Sequence, residues 1–442
     1  MRGGLVPGRH FLTVGAQNTQ NMCAHGGGGP AASFFASRPA LARWHVLSVY
    51  TLFAALQGMI WALPGAVQNT YAGASVYHLS GDTIQLLLNY GPIFYLLCAL
   101  PVSWHLDRFG LRGAVLSGVC LVGASCLLRL FANDGSPASL ALLHASFILN
   151  ALAGPISMGA VGKISEDFFP PSERGTATAW ASEANPFGAA IAFILAPAMT
   201  PVLDMAHVQR VNWLLLGVAA VNFGACALYL PAHPAAAPSA SAHSQRAQEA
   251  RFSLRVLARA LGALARSRAF LLLCAAYGLS AGFSSGWAST LQTNLAPFLA
   301  GYSDADVQWK AGLISFASTT AGNVAGVVLG SYIDRFRGHK ALLVALNGLG
   351  AAFFAVFALV AGGSLQALWP PAGGSAALGY SVLFWSGLLG GLFCNAAIPL
   401  YFELALEAAF PLPSGTVITI LTTMVRCRRC ALHAHLLFPP FR

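Results

Sequence analysis

The sequence predicts an all-α polytopic membrane protein, and three observations predict it. Of its 442 residues, 56% are hydrophobic and only 9% charged, against about 25% charge in an ordinary soluble domain. Mean hydropathy is +0.64. Long stretches carry almost no charge: Asp82 is the only charged residue from Val46 to Pro101, and there is none from Ala341 to Phe402. Such runs match the roughly 20 apolar residues that span a bilayer as helix. An ordinary soluble enzyme, a disordered chain and a disulfide-stapled secreted module are excluded on composition.

Eleven spans follow in order, at about 46–70, 83–104, 113–131, 138–162, 175–201, 211–230, 269–293, 311–333, 341–361, 376–402 and a short 413–425. Residues 1–43 are Gly-, Ala- and Pro-rich, lack a compact apolar core and read as a flexible cytosolic N-terminus rather than a signal peptide. The 44–231 segment is a six-helix half. The 232–268 segment is a basic linker in which Arg251, Arg255, Arg259 and Arg266 interleave with Phe252, Leu254, Val256 and Leu257, the pattern of an amphipathic helix on a membrane surface. A five-span half occupies 269–425, and 426–442 is an atypical basic tail.

Basic residues fix the orientation. With the N-terminus cytosolic, the loops on that side, with Arg43, hold 14 Lys and Arg against three (Arg129, Arg210 and Lys310) on the other. The net charge of +10 is thereby a topological signal and not a nucleic-acid footprint. Of nine Cys, six lie within apolar spans, where Cys acts as a small hydrophobe.

The two halves repeat each other. Asp107-Arg108-Phe109-Gly110-Leu111-Arg112 after span 2 returns as Asp334-Arg335-Phe336 after span 8, 227 residues on. Phe169-Pro-Pro-Ser-Glu-Arg-Gly-Thr176 before span 5 is echoed by Phe410-Pro-Leu-Pro-Ser-Gly-Thr416 before span 11. This pattern resembles the major facilitator superfamily, in which two helical halves rock about a central site. Its Gly-x-x-x-Asp-Arg loop signature is matched from Gly330 to Arg335, whereas Ser103 replaces the leading Gly in the first copy. Asp107, Arg108, Arg112, Asp334 and Arg335 are the expected gating charges, an Asp at one helix end pairing with loop Arg residues and a neighbouring helix N-terminus.

Within that superfamily the chain resembles solute carrier family 49. Leu56-Gln-Gly-Met-Ile-Trp61 with Pro64 and Gln68-Asn69, Leu149-Asn-Ala-Leu-Ala-Gly-Pro155, Ser172 to Ala179, and Asn395-Ala-Ala-Ile-Pro-Leu-Tyr-Phe-Glu403 carry the resemblance. It implies a secondary active or facilitative transporter of a small organic solute. The branch containing disrupted in renal carcinoma protein 2 implies a pyridoxine-like vitamin with proton coupling. The feline leukaemia virus receptor-related branch implies choline or ethanolamine, with a cage Trp at Trp61 and a second aromatic near Trp287; a span 5 glutamine expected there is Pro186 here. A non-transporting receptor, scaffold or inactive truncated form is the reading of another class, because a twelfth span is missing or altered.

The candidate substrate contacts are Trp61, Gln57, Gln68, Asn69, Asn150, Trp287 and Asn395. Mid-span indoles suit a cationic or flat aromatic solute. Gln57 one turn before Trp61, and Gln68 two turns after it, predict a polar stripe along span 1. Glu183, an ionisable group at membrane depth, is the candidate proton carrier. Arg129 closes span 3 and is expected to snorkel. No triad, phosphate loop or HExxH motif occurs, so no enzyme, ATP site, cofactor or metal is expected. Cys427 and Cys430 with His433 and His435 read as an altered tail rather than a metal site. The expected partners are the solute and the lipid bilayer, the chain a monomer in either a lysosomal or vacuolar membrane or the plasma membrane.

Overall fold

The computed structural model describes residues 34–35, 37–170, 172–231, 262, 264, 266–332, 339–362, 375–409, 417 and 421–422. The described chain is helical. Helix α1 (Pro39–Ala66) is followed by a short α2 (Gln68–Ala72), then α3 (Gly81–Phe131), α4 (Pro137–Phe168), α5 (Arg174–Met199) and α6 (Met205–Leu228). The second half begins with α7 (Arg268–Ser289) and a short α8 (Leu291–Leu295), then α9 (Asp304–Tyr332), α10 (His339–Ala361), α11 (Ser375–Ala396) and α12 (Ile398–Ala409). A long helix ended by a one-turn helix thus opens each half, which extends the repeat seen in the Asp-Arg-Phe loops. Spans 1 to 10 each have their helix. Span 11, the linker helix and the tail fall largely or wholly outside the described residues.

Spans 2 and 3 are joined more tightly than a loop would allow. Both lie in α3, and the break between them is Gly110 alone, at φ 70° and ψ −178°. That positive φ is accessible to Gly without a Cβ clash, so the Gly of the first Asp-Arg-Phe-Gly copy makes the corner. Helix starts are set by short side chains: Ser80, Ser136, Asp204 and Ser267 accept the backbone N–H three residues on.

Among the described residues, eight helical stretches are long and apolar enough to cross a membrane. Span 5 falls short of that standard although it is a full-length helix. Span 5 holds Glu183, Asn185 and Pro186, and its far third packs on α9, where a Cβ on Gly312 would strike the Phe193 carbonyl and Pro197. A helix that faces the other half needs less apolar surface than one that faces lipid. Lipid-facing positions behave oppositely: Leu97, Trp213, Leu272 and Val344 are large, apolar and more than 60% exposed, the expected arrangement in a bilayer.

The tightest crossing within the first half is α1 against α5. A Cβ on Gly58 would collide with the Asn185 carbonyl, and one on Gly188 with that of Ala55. Small residues at such crossings let backbones approach closely in membranes. An apolar core runs through α1 to α6, and two smaller clusters serve the second half.

Candidate functional site

The basic loops define one end of the bundle; the connections at 67–80, 132–136 and 200–204 define the far end. The halves are tied together at the far end by neutral hydrogen bonds. Gln68 Nε2 donates to Thr293 Oγ1 at 2.7 Å and Asn69 Nδ2 to the Asp304 carbonyl at 3.1 Å. The Asn69 and Thr70 amides donate to the side-chain oxygens of Gln292 and Gln308 at 3.1 and 3.2 Å. Gln292 Nε2 returns to the Gly65 and Ala66 carbonyls at 3.0 and 2.7 Å, using the acceptors that a helix end leaves free. Gln308 Nε2 reaches Thr200 Oγ1 at 3.0 Å. Gly65 meets Ser289 with no room for a Cβ to spare. Helices α1, α2 and α5 are thereby fastened to α7, α8 and α9.

This placement corrects the predicted polar stripe. Helix α1 ends at Ala66, so Gln68 and Asn69 lie beyond it, in the far-end closure and not beside Trp61. Gln57 is 5% exposed and is held inside the first half. Its Nε2 donates to the Asn150 carbonyl at 3.1 Å, Asn150 Nδ2 donates back to the Gln57 carbonyl at 3.1 Å, and Asn185 Nδ2 donates to Gln57 Oε1. These groups join helices, as polar side chains in lipid commonly do. Asn395 accepts from Ser284 at 3.5 Å and is pressed by Gly322, linking α11 to α7 and α9.

The two tryptophans have different surroundings. Trp61 is half-buried; its Nε1 donates to the Leu88 carbonyl of α3 at 3.0 Å and its ring lies over Gly91, where a Cβ would not fit. Trp287 is 3% exposed and packed edge-on against Phe354 and Phe357, centroids 4.9 and 5.1 Å away, with Gly387 across it. It is a core residue of the second half in this conformation, and the expectation that it faces a central cavity is corrected. The seven substrate candidates consequently do not converge on one point.

Glu183 is half-buried in α5, without a hydrogen-bond or ion-pair partner among the described residues. Of the gating charges, Arg112 is exposed; the side chains of Asp107 and Arg108, and all of Asp334 and Arg335, lie outside the described residues. The described ion pair at the basic end joins Arg43 to Glu173 at 2.8 Å, within the first half. Arg129 does not snorkel: it is wholly buried, its cation 4.5 Å over the Phe147 ring. Gln308, Thr200, Asn185 and Thr70 were missed by sequence reasoning. Each is a single neutral polar residue, with no charge and no motif to single it out.

Two packed helical halves fastened at one end, with polar and ionisable groups left at membrane depth below the fastening, define a membrane transporter rather than an enzyme. The Major Facilitator Superfamily model matches residues 28–427. The chain belongs to that superfamily and, within it, to solute carrier family 49. It is 31% identical to a solute carrier family 49 member 4 homolog of Xenopus tropicalis, over 89% of this chain and 84% of the relative. It is 26% identical to the human choline/ethanolamine transporter FLVCR2, over 84% of this chain and 67% of that one. Among solved structures, a D-xylose-proton symporter aligns at TM-score 0.64 with 15% identity, covering 88% of this chain and 89% of the other. A bacterial homolog of the human lysosomal transporter Spinster, in an inward-facing and unoccupied conformation, aligns at 0.58 with 15% identity, over 90% and 80%. The protein is a multi-pass membrane transporter of small solutes.

Proposed function

We propose that this transporter moves a pyridoxine-like organic solute by alternating access, coupled to protons. The far-end fastening carries the alternating-access part. Neutral hydrogen bonds, each worth on the order of 1 kcal/mol net, can be exchanged for water when the halves rock, so they suit a closure that must reopen. The solute then enters or leaves at the basic end in the state described. Glu183 supports proton coupling, as a carboxylate at membrane depth with no fixed partner is free to gain and lose a proton or to meet a cationic solute. Similarity is higher to the family 49 member 4 homologs than to the choline/ethanolamine transporters, which puts the choline reading second.

Choline or ethanolamine is the second reading. The half-buried Trp61 favours it, because an indole face held by a hydrogen bond to α3 is a ready platform for an ammonium group.

Uptake of radiolabelled pyridoxine and of choline into proteoliposomes, with and without an imposed pH gradient, separates the two. Proton-coupled pyridoxine uptake that loses its gradient dependence in Glu183→Gln is the expected outcome. Choline uptake indifferent to the gradient selects the second reading, and no flux of either from folded protein refutes both.

A further inference from the structure

Helix α1 stops at Ala66 and α2 starts at Gln68, and the residue between them gives no ordinary reason for a break. Val67 stands there at φ −126° and ψ 42°, and no side chain caps the start of α2. Pro64 lies three residues earlier; the N–H it lacks would have met the Ile60 carbonyl, upstream of the break. Val67 N still reaches the Leu63 carbonyl at 3.0 Å, and Tyr71 N the Val67 carbonyl at 3.0 Å, both at helical spacing.

The partners missing at the break come from the other half. A continuous helix would bond Asn69 N to the Gly65 carbonyl and Thr70 N to the Ala66 carbonyl. These four groups are taken by two glutamines of the second half. Gln292 Nε2 donates to the Gly65 and Ala66 carbonyls at 3.0 and 2.7 Å, and its Oε1 accepts from Asn69 N at 3.1 Å. Gln308 Oε1 accepts from Thr70 N at 3.2 Å. A glutamine amide carries the donor and acceptor of a peptide unit, so it can replace helical bonds directly. Gln292 and Gln308 are 2% and 0% exposed, and buried backbone groups need such partners. The equivalent break between α7 and α8 is held differently, by its own half. Thr290 N and Oγ1 donate to the Gly286 carbonyl at 3.1 and 3.0 Å, and Asn294 Nδ2 donates to Thr290 Oγ1 at 3.3 Å.

We infer that the break between α1 and α2 is conditional on closure of the far end, with Gln292 as the positioning residue that imposes it. When the halves separate there, Asn69 N bonds the Gly65 carbonyl, Thr70 N bonds the Ala66 carbonyl, and α1 runs on as one helix to Ala72. Each state pairs the same four backbone groups, so the exchange leaves none of them bare, as the broken helices of transporters require. The α7–α8 break, which caps itself, persists in both states. The purpose of the exchange rests on the alternating-access reading above. The break itself is measured without solute, so a failure here leaves that reading standing, and absent flux leaves this inference standing.

Solid-state NMR of the full chain, 13C-labelled at valine in lipid bilayers, reads the backbone at Val67, whose signal is assigned by its loss in Val67→Ile. Spin labels at the exposed Ala72 and Tyr302, in a background freed of native cysteines, read the distance across the seam. The parent is expected to show a non-helical Val67 and a short label distance. Gln292→Leu removes three neutral bonds, which raises the open-to-closed ratio by about tenfold or more; the label distance lengthens and Val67 moves to helical shifts. A lengthened distance with Val67 still non-helical makes Gln292 a plain latch and overturns the inference. So does a variant with the parental distance and shift, or a helical Val67 in the closed parent. Should Gln292→Leu not fold, Gln308→Leu frees the Thr70 amide and keeps the Gln292 bonds; it moves part of the Val67 signal to helical shifts, and a parental spectrum there overturns the inference equally.

Discussion

Helices α1 and α7 hold equivalent places in the two halves, each ending in a one-turn helix at the far end, yet their tryptophans live differently. Trp61 shows part of its ring and has its N–H satisfied by the Leu88 carbonyl. Trp287 is enclosed by Phe354 and Phe357, and its Nε1 has no hydrogen-bond partner among the described residues. The same contrast holds along the helix bodies. Gly58 of α1 presses into α5, whereas at Gly282 of α7 no neighbouring element among the described residues comes within 4 Å of where a Cβ would lie. Pseudo-symmetry of the chain therefore conserves the path of the backbone and not the task of the side chain: α1 is gripped by its neighbours through backbone contacts, and α7 by an aromatic cluster.

The strongest way to break that contrast is Trp287→Ala. Emptying an enclosed aromatic site costs about 3–5 kcal/mol, so the variant is expected to melt far below the parent in detergent. A parental melting curve would place Trp287 outside the core. A paired glycine experiment sharpens the same point. Gly188→Ala drives a methyl into the Ala55 carbonyl and is expected to destabilise by about 1–3 kcal/mol. Gly282→Ala meets no described neighbour within 4 Å and gains about 0.5–1 kcal/mol from reduced backbone freedom in the unfolded chain. Equal melting of the two variants would remove the distinction between the helices.

Most of the fold was legible from the chain because its signals are collective. Twenty apolar residues in a row, a fourteen-to-three split of basic residues and an Asp-Arg-Phe repeat each add evidence from many positions. The site was less legible because it depends on single neutral groups. Gln57 and Gln68 look alike in sequence, eleven residues apart on one apparent helix. The helix ends between them, at Ala66, which sends Gln57 into the interior of one half and Gln68 into the seam between halves. Arg129 likewise read as a residue near an interface that would reach for water; nothing local to its sequence announces the Phe147 ring against its guanidinium. Pairings such as Thr70 with Gln308 are 238 residues apart and leave no local signature.

The smallest expected effect is at the start of α6, remote from both tryptophans. The His207 amide and ring donate to Asp204 and hold its carboxyl below the usual carboxylate range. A depressed pKa in the folded state means that this support is present at neutral pH and is lost as pH falls through the depressed value. Asp204→Ala is expected to lower the melting temperature slightly near neutrality and to converge with the parent in acid. A difference that widens as pH falls would reverse the sign and contradict the assignment.

The comparison of α1 with α7 is tested most directly by uptake kinetics in proteoliposomes for Trp61→Ala, Trp61→Phe and Trp287→Phe, each normalised to folded protein. If Trp61 offers its face to the solute, its loss removes roughly 1–2 kcal/mol of binding, about a tenfold or greater fall in uptake efficiency for Trp61→Ala. Trp61→Phe keeps an aromatic face and most of the activity, and Trp287→Phe keeps the kinetics of the parent. Parental uptake by Trp61→Ala, or a loss in Trp287→Phe as large as that in Trp61→Ala, would contradict the account.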